Sequence, residues 1–75
     1  MITHRLFDAF NRRVCSRHKS LRAAVIAQAK LSRAVKRANG PKSYLPTIVE
    51  YLAGDEWIKV PTEDVHGAEY AAGIR

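Results

Sequence analysis

Arg22, Lys30, Arg33, Lys36 and Arg37 are the residues best placed to do chemistry, and the chemistry they suit is binding a polyanion. On a helix they fall between about 60° and 180° of the wheel and span roughly 22 Å of axis. Cations about one turn apart match successive phosphates, and a guanidinium can engage a phosphate bidentately. A face built only for solubility mixes signs to gain i,i+4 pairs, yet no acid lies between Leu21 and Ala38. Arg5, Arg12, Arg13 and Arg17 precede this stretch, and His18 and Lys19 join the two. The candidate binding set is therefore Arg5, Arg12, Arg13, Arg17, Lys19, Arg22, Lys30, Arg33, Lys36 and Arg37. Ile26 falls inside the stripe, where it either contacts the partner or is covered by the end of another element.

Other reactive types are sparse. Cys15 and His18 lie three residues apart, but no third group completes a nucleophilic site, and a lone thiol is usually inert packing. His4, His18 and His66 are scattered, and no Cys/His set has zinc spacing. The Asp55-Glu56 and Glu63-Asp64 pairs have carboxylates that diverge by 100° on a helix, so capping and solubility explain them better than acid–base work. No catalytic residue, metal ligand or cofactor-binding residue is proposed, and the chain reads as a non-enzyme. Trp57, Tyr44 and Tyr51 read as core anchors.

Three helices are expected to position these groups. Thr3 caps a first helix to about Arg17, with Leu6, Phe7, Phe10 and Val14 on one face and Arg5, Asp8 and Arg12 opposite. Ser20 caps a second over Leu21 to Ala38, rich in alanine and buried along Leu21, Ala24, Gln28, Leu31, Val35 and Ala38. Asn39-Gly40-Pro41 stops it. Ser43 opens a third, with Leu45, Ile48, Val49 and Leu52 in phase, and Gly54 ends it. Glu56 to Val60 reads as extended, and Pro61-Thr62-Glu63-Asp64 starts a short, partly frayed helix.

The fold class that follows is a mainly α, small three-helix domain. Residues 1–42 form a basic helical hairpin, 43–60 hold the third helix and the Trp57 segment, and 61–75 form an acidic tail. A helix-turn-helix has nearly the right connecting length at Gly40 to Ser43, but the third helix would offer Tyr44, Thr47, Glu50 and Tyr51 to DNA with no Lys or Arg. It is set aside.

Charge points the same way. The chain carries +6 over 75 residues, and it is divided unevenly. Residues 1–42 hold eleven Lys/Arg against Asp8 alone, a formal +10; residues 43–75 hold Lys59 and Arg75 against six acids, a formal −4. Such asymmetry selects an acidic partner class for the basic end. The expected function is a small nucleic-acid-binding regulator or accessory factor, with duplex DNA favoured because no aromatic ring interrupts the basic stripe. The alternative is an inhibitor or modulator docking this face on an acidic surface of a larger enzyme, such as a polymerase or nuclease. A membrane partner is not expected, since the second helix is mostly Ala on its apolar side. One cysteine, no long apolar run and a polar N-terminus make the cytoplasm the expected location. Eleven Ala and an Arg excess over Lys fit a GC-rich bacterial or phage genome. An unpaired strand at Glu56 to Val60 makes a symmetric homodimer the expected oligomer.

Overall fold

In the computed structural model, which describes residues 1–74, the chain is α+β. Its order is β1 (His4–Asp8), β2 (Arg13–His18), α1 (Leu21–Asn39), β3 (Thr47–Ala53), β4 (Glu56–Lys59) and α2 (Thr62–Ala71). The four strands form one antiparallel sheet in the order β2-β1-β3-β4. This overturns the mainly α, three-helix expectation and the helical hairpin at residues 1–42.

The first predicted helix is a β-hairpin. Leu6, Phe7, Phe10 and Val14 satisfy a helical stripe, but the same stretch also alternates, with His4, Leu6 and Asp8 on one side of β1 and Arg5 and Phe7 on the other. Asp8 decides between the two. Its carboxylate, 1% exposed, accepts from the Phe10 amide at 2.9 Å, the Asn11 amide at 3.0 Å and the Asn11 side-chain amide at 2.7 Å. That closes an Asx-type turn that no continuing helix would allow. Arg12 completes the reversal at φ 55°. A bulge between Leu6 and Phe7 leaves Cys15 as the additional residue of β2.

The third predicted helix is β3. Thr47, Ile48, Val49 and Tyr51 are β-branched or aromatic and suit a pleated surface. Gly54, at φ 64°, occupies the first position of the two-residue turn into β4, as primed hairpin turns require. Without a helix after Gly40, the helix-turn-helix reading has no recognition element. β4 pairs with β3 inside the chain, Tyr51 opposite Ile58 and Leu52 opposite Trp57. The unpaired strand that motivated a homodimer does not exist.

The second predicted helix is present as α1. Ser20 accepts from the Ala23 amide at 3.1 Å, and Gly40, at φ 106°, ends the helix with its amide on the Lys36 carbonyl. Both helices pack on one face of the sheet around Leu6, Ala24, Val25, Val49 and Val60. Val65, Ala68 and Ile74 bring α2 and the following residues against that cluster. Gln28 ties α1 to the start of β3 by donating to Thr47 Oγ1 at 3.0 Å. The predicted start of α2 at Pro61-Thr62 holds, and the helix continues through Gly67. The end of the 61–75 tail, Arg75, lies outside the described residues.

Candidate nucleic-acid interface

The ten predicted cations do not form one continuous surface. With residues 4–18 folded into the sheet, they divide between the outer side of α1 and the hairpin. Arg22, Lys30, Arg33, Lys36 and Arg37 are all exposed along α1. Among the described residues none of them has an ion-pair partner, since the one ion pair is Arg5–Glu50. The stripe is therefore free to meet an external anion. Ile26, in its midst, is half-buried. From Ser32 to Asn39 every α1 residue except Val35 is exposed, so this end of the helix is largely free of cover. Lys36 and Arg37 sit in its last turn, where cations offset the helix dipole.

Arg12, Arg13, Arg17 and Lys19 are exposed along the hairpin and its exit. Arg5 is different. Its Nε donates to Glu50 Oε1 at 2.7 Å, with the two side chains only 19% and 15% exposed. Its guanidinium lies 4.4 Å from the Trp57 ring centroid and 5.2 Å from that of Phe7. A cation held over two rings and against a carboxylate is a fixed part of the surface rather than a free contact.

Arg5 and Arg17 share the sheet face that carries no helix, whereas Arg13, opposite Asp8, lies on the other side. The strand registers align Arg17, Arg5, Glu50 and Lys59 in one row across β2, β1, β3 and β4. On one side of that row lie Val14, Phe7 and Ile48; on the other, Leu52 and Trp57. Sequence reasoning missed Phe7, Glu50, Trp57 and Lys59 as members of one surface. Trp57 read as a core anchor, and the signal that could have placed it was the alternation of Glu56, Ile58 and Val60 against Trp57 and Lys59. Phe10, counted toward the core, is 79% exposed at the β1–β2 turn.

The remaining titratable groups argue for structure. Hydrogen bonds from Asn11, side chain and backbone, hold Asp8 below the usual carboxylate range, with the Phe10 amide and Arg13 adding to the effect against its burial. Burial lowers His4, and the facing His18 lowers it further. Burial and the charge of Asp8 raise the Cys15 thiol, with Arg13 opposing, so the thiolate is disfavoured at neutral pH. Among the described residues no three His, Cys, Asp or Glu side chains are grouped to hold a metal, and no helix is long and apolar enough to cross a membrane. Comparison with protein-family models, with curated proteins and with solved structures finds no match to this chain.

Proposed function

We propose that the protein binds nucleic acid, contacting the phosphate backbone of a duplex through the outer side of α1. The observation that carries this reading is the stripe itself: Arg22, Lys30, Arg33, Lys36 and Arg37 are exposed on a helix that contains no acid from Leu21 to Asn39. The 19-residue helix is capped at both ends and held down by Ala24 and Val25 in its first half, and its uncovered second half carries Arg33, Lys36 and Arg37. Backbone contact gives affinity and register with little base readout. A regulator or accessory factor that recognises duplex geometry rather than sequence fits such a surface.

Salt dependence is the test. Four to five phosphate contacts give a slope of log K against log salt of roughly −3.5 to −4.5. Reversing Arg22, Arg33 and Arg37 to Glu removes most of the affinity while the helical circular dichroism stays. A slope shallower than about −2 on a mixed-sequence duplex, or no binding at low salt, hands the same stripe to an acidic protein surface instead.

A further inference from the structure

We propose that the open face of the sheet is a second nucleic-acid surface, a stacking platform for single-stranded DNA or RNA. It goes beyond the duplex reading, because it uses the opposite side of the molecule and a different kind of contact.

Three observations support it. The face is uncovered, with α1 and α2 both packed on the other side and Leu52 left 40% exposed. It presents Phe7 and Trp57 on either side of the Arg5 guanidinium, which Glu50 holds in place. Bases stack on aromatic rings and on guanidinium planes alike, and such stacking tolerates any sequence. Its charge also favours a polyanion. Arg5, Arg17 and Lys59 stand on this face against Glu50 alone, and that carboxylate is already engaged by Arg5. Arg17 and Lys59 are exposed at the two ends of the charged row, on the outermost strands. With strands about 4.8 Å apart, the row is about 14 Å long, enough to set cations on both flanks of bases lying over β1 and β3.

A second copy of the chain fits this face less well. A two-fold interface would set the same cationic face against itself, with Arg17 and Lys59 brought toward their own mates. A single strand brings phosphates for these cations and bases for the rings.

Trp57 is the one tryptophan in the chain, so its fluorescence reports directly on the platform. The full-length protein is titrated at low salt with a 12-nucleotide oligothymidylate and, separately, with a 12-base-pair mixed-sequence duplex. Saturable quenching of Trp57 by the single strand, with much weaker quenching by the duplex, is expected. Phe7→Leu, which preserves charge and keeps an apolar side chain, should weaken the single strand about five- to tenfold. Arg17→Glu with Lys59→Glu should weaken it more than Arg33→Glu with Arg37→Glu, although the net charge change is equal. Circular dichroism checks the fold of each variant. No quenching at low salt, equal loss from both charge pairs, or a dimer that disperses in Leu52→Lys would each overturn the platform. The duplex reading stands or falls separately, on whether reversal of Arg22, Arg33 and Arg37 removes duplex binding.

Discussion

The two faces of the sheet are built from the same four strands, yet they carry different side chains. Leu6 and Phe7 are neighbours on β1; Leu6 is 1% exposed beneath α1, whereas Phe7 lies on the open face beside Arg5. Val49 and Glu50 repeat the division on β3, Val49 in the core and Glu50 paired with Arg5. Because successive side chains alternate, one strand can supply a fold on one side and a binding surface on the other. In a chain of 75 residues this economy matters, since a small domain has little buried surface to spare. On the covered face Leu6, Val49 and Val60 meet Val25 of α1; the open face carries rings, guanidinium and ammonium groups beside Val14, Ile48 and Leu52.

The comparison is most easily broken by truncating the covered side. Leu6→Ala should cost about 2–5 kcal/mol, from the lost transfer energy and the cavity beneath α1. Phe7→Leu, one residue away, should cost less than about 1.5 kcal/mol in the same urea titration. Equal losses would mean that the two faces contribute alike to folding.

A smaller effect is expected within the open face. Glu50→Ala removes the partner of Arg5 and should cost about 1–3 kcal/mol, since the side chain is largely shielded and the hydrogen bond is charge-assisted. It should also change Trp57 emission, because the guanidinium over the ring loses its anchor. An unchanged emission maximum would show that Glu50 does not position Arg5.

The hairpin turn supplies a third comparison, made by pH. Asp8 is held below its ordinary value in the folded state, so its contribution is present above the unfolded carboxylate range and lost as pH falls through the folded value. His4 is also lowered. The folded state then binds fewer protons than the unfolded one below the ordinary histidine range near ~6.5, and acid destabilises it. Thermal midpoints should therefore fall slightly from pH 7 to pH 5, where His4 acts, and further below pH 4, where Asp8 acts. Asp8→Asn should flatten the lower step and His4→Gln the upper one. A midpoint that rises on acidification contradicts both assignments.

How much of this was legible in the sequence differs by element. α1 was readable because its signals agree: Ser20 at the cap, alanine throughout, and Asn39-Gly40-Pro41 at the stop. The helix start at Pro61 and the extended character of Glu56 to Val60 were readable for the same reason. β1 and β3 were not, since over short spans a helical stripe and a strand's alternation select overlapping residues. In β1 the alternating inward position is filled by Asp8, a carboxylate whose burial depends on donors supplied by the turn itself. In β3 apolar side chains stand on both faces, Val49 and Tyr51 toward the core and Ile48 and Leu52 on the open face, so the strand reads as a nearly continuous apolar run. The cations were visible from composition and spacing. Their division into two surfaces was not, because that depends on which strands become neighbours, and Arg5 meets Trp57 only through the pairing of β1 with β3 and β3 with β4.

Amide and indole chemical-shift mapping by ¹⁵N–¹H spectroscopy tests the division of labour most directly, with each nucleic acid titrated separately into the labelled protein. A single-stranded 12-mer should shift Arg5, Phe7, Arg17, Leu52, Lys59 and the Trp57 indole, and a duplex should shift Arg22, Lys30, Arg33, Lys36 and Arg37. Shifts on α1 alone with both ligands, leaving the Trp57 indole unmoved, would contradict the account.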